Sequence, residues 1–138
     1  MSEFYISSGD FKEGEEIPKN CGYKHGNEKP KLHCLTENEP FPMAMIMDDP
    51  DAMEAVGKVW VHDLRYTNGS DVVEGKNDFG ELGWGGPAPP DKRHTYVFKA
   101  YILDVELDLK EGYSKQALAD AMKDHIIAEA KLTGTYAP

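Results

Sequence analysis

Two stretches of this chain carry residue types that could act on a ligand. The first is Asn77-Asp78-Phe79-Gly80-Glu81-Leu82-Gly83-Trp84-Gly85-Gly86-Pro87-Ala88-Pro89-Pro90, which leads to His94-Thr95-Tyr96. Four glycines and three prolines keep it out of a helix or a central strand. Glycine lets backbone approach a ligand closely, and proline stiffens the path. The expected product is a shaped loop with bare amides, and successive amides can form a concave nest for a small anion. A structural crossover is the plain alternative. The residues after it, His94 to Leu103, are aromatic and β-branched and read as a strand. Period two places His94, Tyr96, Phe98 and Ala100 on one face, so imidazole and phenol stand roughly 7 Å apart.

The second stretch is Asp48-Asp49-Pro50-Asp51-Ala52. Carboxylates beside proline at a strand end ordinarily shape a turn. So many together are costly unless donors or a cation lie close. A third candidate is His62, within Trp60-Val61-His62-Asp63-Leu64-Arg65-Tyr66. Strict alternation puts Trp60, His62, Leu64 and Tyr66 on one face and Asp63 and Arg65 on the other. A histidine among apolar neighbours is by default a core residue with a hydrogen-bond partner.

The elements that must position these groups follow from the rest of the pattern. Phe4 to Ser8 and Lys31 to Leu35 read as short strands, and Phe11 to Pro18 as turn and edge strand. Phe41 to Met47 is the most apolar run and fits a strand covered on both faces. Its alternating methionines could bind a soft metal, but core filling is the stronger reading. Asn68-Gly69 signals a hairpin. Val105 to Lys110 reads as extended. Ser114 is an N-cap candidate, and Leu118, Met122, Ile126 and Ala130 recur every four residues up to Thr133-Gly134, predicting one helix. The architecture expected is mostly β with a C-terminal helix.

The chain has 138 residues and a net charge of −10, with a pI near 4.9. One domain spanning 1–138 is expected. The charge argues against nucleic acid and anionic membranes as partners. Cys21 and Cys34 lack the spacing of a metal pair and read as free thiols. No apolar run approaches membrane length, and no charged-then-apolar leader opens the sequence, so a soluble, cytoplasmic protein is expected.

Taken in order, Asp49-Pro50-Asp51-Ala52, Trp60-Val61-His62 and the glycine–proline loop with His94-Thr95-Tyr96 resemble the phosphatidylethanolamine-binding protein family. That family is also called Raf kinase inhibitor-like, and the match is to its bacterial and archaeal branch. Phe11 to Pro18, Asn77 to Gly80 and Leu132 to Tyr136 add weaker echoes. The resemblance implies a large antiparallel sheet, a smaller second sheet and a C-terminal helix. It also implies a cavity for phosphate-like anions built from Asp49, Asp51, His62, Gly86, Pro87, His94 and Tyr96, with Trp60 beside them. Met53, Asp63 and Lys92-Arg93 depart from the family pattern, and the last places two cations near the mouth. The chain is also short for the family, which implies trimmed loops.

The chemistry is coherent. Tyrosine O–H, imidazole N–H and loop amides donate to anion oxygens. Aspartate beside histidine favours the charged ring and can receive the amine of a zwitterion such as phosphoethanolamine. The leading reading is therefore a binding protein for a small phosphate-like or carboxylate ligand. The resemblance also implies a surface-acting protease or kinase inhibitor, and prokaryotic relatives that are often homodimers. A hydrolase or metal-dependent enzyme is the third reading. No serine or cysteine sits in the constellation as nucleophile, so no catalytic residue, cofactor or metal ligand is assigned.

Overall fold

The computed structural model describes residues 4–37 and 40–138. Its strands and helices, in chain order, are β1 (Phe4–Ser8), β2 (Leu32–Thr36), β3 (Met43–Asp49), α1 (Ala52–Val56), β4 (Trp60–Thr67), β5 (Val72–Glu74), β6 (His94–Leu103), α2 (Lys115–Met122) and β7 (Ile126–Tyr136). The main sheet has the order β5-β4-β3-β6-β7, and β1 and β2 form a separate two-stranded sheet. Every strand pair is antiparallel. The large sheet, smaller sheet and late helix agree with the sequence reading.

Period two in β3 explains why the main sheet is covered twice. Met45 and Met47 face one core, with Phe4, Ile6, Phe11, Ile17, Phe98 and Leu132. Ala44 and Ile46 face the other, with Leu64, Tyr66, Tyr113, Leu118 and Met122. The methionines are core filling, as expected. The first core seats the small sheet and the second seats α2. Ser114 caps α2 as predicted, its Oγ accepting from Ala117 N at 3.0 Å. In the β4–β5 turn, Asn68 Oδ1 accepts from Ser70 N and Asp71 N, each at 2.9 Å.

Three expectations are corrected. The predicted helix is eight residues long, and Ile126 to Tyr136 is an eleven-residue strand beside β6. A spacing of four fits a strand as well as a helix, because four is twice the strand period. Ala130, Leu132 and Tyr136 are buried on one face, and β-branched Ile126, Ile127, Thr133 and Thr135 favour the pleat. The 11–18 segment makes a single bridge, Glu16 to Thr135, instead of an edge strand.

The third correction bears on function. In β4, Val61 pairs with Asp48 and Asp63 pairs with Met47, so His62 is an extra residue, a β-bulge. A bulge resets which face each following side chain takes. Trp60 and His62 therefore do not share a face with Leu64 and Tyr66, which join the core under α2. Asp63 and Arg65 take the positions opposite Met47 and Met45. Asp63 is buried, and burial pushes its pKa up against the pull of Arg65.

Candidate functional site

The site forms where β3 ends, β4 bulges and β6 begins. Asp49, the last residue of β3, is 3% exposed. Its Oδ1 accepts from Ala52 N at 3.2 Å, which starts α1. Its Oδ2 accepts from His94 Nδ1 at 2.7 Å. The other ring nitrogen of His94, Nε2, donates to Asp91 Oδ1, also at 2.7 Å. Burial opposes charge on this ring, but hydrogen bonds to two carboxylates outweigh it and raise the pKa. Both ring nitrogens of His94 thus face carboxylates, an arrangement that favours the charged ring.

His62 is held differently. Its Nδ1 donates to Gly85 O at 2.6 Å, and Gly85 N donates back to His62 O at 2.8 Å. That pair fixes the tautomer, leaving a lone pair on Nε2. Burial lowers this pKa, so His62 is the neutral imidazole. Phe79 and Tyr96 meet its ring edge-on, with centroids at 5.6 and 5.2 Å. Tyr96 lies between the imidazoles, 6.3 Å from His94. Its hydroxyl is buried, and among the described residues it has no hydrogen-bond partner. Burial, with the Asp49 charge, pushes the phenol pKa up. The indole N–H of Trp60 is likewise buried and unpartnered among the described residues.

A cavity of about 230 Å³ opens onto this floor. Asp49, His62 and His94 give it polar groups, and Ala52, Ala55, Val56, Trp60, Phe79, Ala88 and Pro90 give it apolar walls. The other expected residues stand around it. Tyr96 does not line the cavity and packs between the two imidazoles. Asp51 ties β3 to β6, its Oδ2 accepting from Thr95 N at 2.8 Å. Gly86 and Pro87 lie in the loop but do not line the cavity, whereas Ala88 and Pro90 do.

The loop does not offer a nest of bare amides. Gly83 N donates to Gly75 O, Gly85 N to His62 O and Gly86 N to Asn27 Oδ1. The glycines serve close packing instead: a Cβ on Gly86 would overlap the Cys21 carbonyl, and one on Gly85 the Phe79 ring. The expected cations at the mouth are also occupied. Lys92 pairs with Glu54 at 3.1 Å and Arg93 with Glu16 at 3.4 Å.

Sequence reasoning missed Phe79 as a wall and Asn77 as its support. Asn77 is 3% exposed. Its amide donates to Gly83 O, and its Oδ1 accepts from Phe79 N and Glu81 N. Tyr23 stacks on Phe79 with centroids 3.9 Å apart. The signal was present in the Asn77-Asp78-Phe79-Gly80 run, since Asn and Asp side chains organise turns through their own neighbours' amides.

Comparison with known proteins fits this geometry. The sequence profile of the phosphatidylethanolamine-binding proteins matches residues 7–137. The chain belongs to the phosphatidylethanolamine-binding protein family. A UPF0098 protein of Chlamydia trachomatis is 36% identical over 145 residues, covering 95% of this chain and 97% of the relative. Another, from Methanothermobacter thermautotrophicus, is 41% identical over 117 residues, covering 71% and 74%. Among solved structures, a Chlamydia trachomatis phosphatidylethanolamine-binding protein homologue superposes with a TM-score of 0.83 at 34% identity, covering 96% of both chains. Escherichia coli YbcL, described as a member of the mammalian family, gives 0.85 at 27% identity, covering 97% and 98%. Among the described residues no helix is long and apolar enough to cross a membrane.

Proposed function

We propose that this family member is a receptor for a small phosphate-bearing zwitterion of the phosphoethanolamine type. The observation that carries the reading is the Tyr96 hydroxyl, buried between His62 and His94, which has no partner in hydrogen-bond geometry among the described residues and interacts with the Asp49 carboxylate only outside it. A buried polar group of this kind costs free energy until something accepts from it. A phosphate oxygen meets that need, and the Trp60 indole N–H, also unpartnered, offers a second donor.

Charge favours a zwitterion over a plain dianion. Asp49 and Asp91 flank one imidazolium, and His62 is neutral, so the floor carries more negative than positive charge. An ammonium on the ligand offsets that excess against Asp49 and the aromatic walls. The volume, about 230 Å³, is below the roughly 300–1,000 Å³ of drug-sized sites, which suits a head group.

Calorimetric titration tests this, with phosphoethanolamine, inorganic phosphate and ethanolamine as ligands and phosphatidylethanolamine vesicles as a separate arm. Phosphoethanolamine should bind best. Tyr96→Phe should weaken it about tenfold, the equivalent of about 1.4 kcal/mol, at the low end for a hydrogen bond to a charged group. Equal affinity for Tyr96→Phe and wild type, or no phosphate binding at all, sinks the reading.

A further inference from the structure

Any oxyanion entering this site meets an obstacle: His94 has no N–H left to give. Nδ1–H goes to Asp49 and Nε2–H to Asp91, both at 2.7 Å. The two acceptors are not equivalent. Asp49 ends a central strand, is 3% exposed, and also receives the Ala52 amide. Asp91 sits in the loop before β6, and its side chain is 39% exposed. Its neighbours hold the loop through exposed contacts, Lys92 to Glu54, and Arg93 to Glu16 and to Thr135 Oγ1 at 3.2 Å; the ion pairs among them contribute little rigidity. A rotamer change at Asp91 breaks its bond to His94, together with the carboxylate's contacts to the backbone of Asp91 and Lys92.

We propose that Asp91 is a tethered stand-in for the ligand's anionic group and the residue that sets phosphate-over-carboxylate selectivity at this site. The inference rests on the receptor reading above. Asp91 presents a carboxylate to His94 Nε2 intramolecularly, so it acts at the high effective concentration of a short tether. A free carboxylate offers the same chemistry without the tether and loses the competition. A phosphate brings more charge and more oxygens. It can take the His94 N–H and the Tyr96 O–H together, a gain that Asp91 does not match because its carboxylate bonds His94 and not the Tyr96 hydroxyl. The price of this filter is affinity: a site open for only about 1–10% of the time binds about 10- to 100-fold more weakly than its open form.

The test is Asp91→Ala, with Asp91→Asn as a second variant, titrated with inorganic phosphate and with sodium acetate. The ring nitrogens of His94 are followed by ¹⁵N NMR without ligand. Asp91→Ala should shift the Nε2 resonance, tighten phosphate binding about 10- to 100-fold, and create acetate binding that wild type lacks. Asp91→Asn, which keeps an acceptor but no charge, should fall between. An unmoved Nε2 resonance overturns the contact itself. A moved resonance with phosphate affinity within twofold of a wild type that binds overturns the competition. If the resonance moves and neither protein binds phosphate, the receptor reading fails and the selectivity role fails with it, while the contact stands.

Discussion

Replacing Asp49 by Asn tests the electrostatic design of the floor. The side chain keeps its shape and one oxygen, but its charge is gone. In the native structure that charge accepts the Nδ1–H of a fully buried His94 at 2.7 Å. A hydrogen bond to a charged group contributes about 1.5–3 kcal/mol, and a buried ion that loses its partner outright costs about 3–5 kcal/mol. Asp91 still holds the other nitrogen, so the expected loss is about 2–3 kcal/mol at pH 6. The pH dependence has a definite sign. The folded-state pKa of His94 is raised, so its stabilisation is fully present below the unfolded value of about 6.5 and is lost as pH rises through the folded value. At a pH above the folded value the ring is neutral in both proteins, and the gap should shrink to about 1 kcal/mol, an ordinary hydrogen bond. With a urea m-value of about 2 kcal/mol/M, the midpoint should drop by about 1 to 1.5 M at pH 6 and by about 0.5 M at a pH above the folded value. The double variant with His94→Gln should recover part of the loss, because no imidazolium is left unpaired. A deficit equal at both pH values, or below about 0.5 kcal/mol at pH 6, refutes the reasoning.

Three further outcomes follow from the same geometry. Tyr96→Phe removes a buried hydroxyl with no partner among the described residues, so the ligand-free variant should be as stable as wild type or up to about 1 kcal/mol more stable in urea; a clear loss would mean the hydroxyl is bonded in the folded protein. Gly86→Ala drives a methyl into the Cys21 carbonyl and should cost about 1–3 kcal/mol, the range for overpacking, read as a lowered melting temperature. Cys21 is 3% exposed, and burial, with the Asp10 and Glu28 charges, pushes its thiol pKa up to about 11; iodoacetamide at pH 7.5 should leave it unlabelled until denaturant is added, as read by mass spectrometry.

Local sequence held a good part of this structure where one period acted without competition. His94 to Leu103 alternates without interruption and forms β6 over those residues. Asp49, His62, His94 and Tyr96 do meet, as their order along the chain implied. What stayed hidden is non-local. The bulge at His62 exists only in the pairing of β4 with β3, so no reading of β4 alone could place Leu64 and Tyr66 on the opposite face. The amides of Gly85 and Gly86 are satisfied by His62 and Asn27, 23 and 59 residues away. β7 looked helical because its apolar spacing of four serves both periods, and only its neighbour β6 decides between them. Asp91 carried no signal at all: an acid in a polar turn has no period, and its role depends on where His94 points.

The site thus divides into a fixed part and a movable part. His62 and Gly85 hold each other through a reciprocal pair of bonds, Asp49 is pinned between α1 and His94, and Asp51 fastens the start of β6. Apart from the Asp49–Ala52 contact, each link joins segments distant in sequence, so these positions move only if the sheet itself opens, an event near the top of the stability range. Residues 91–93 are different, being exposed and held by solvent-facing ion pairs. Substitutions there should leave the strands that position His94 undisturbed, because the cost of each is confined to the loop.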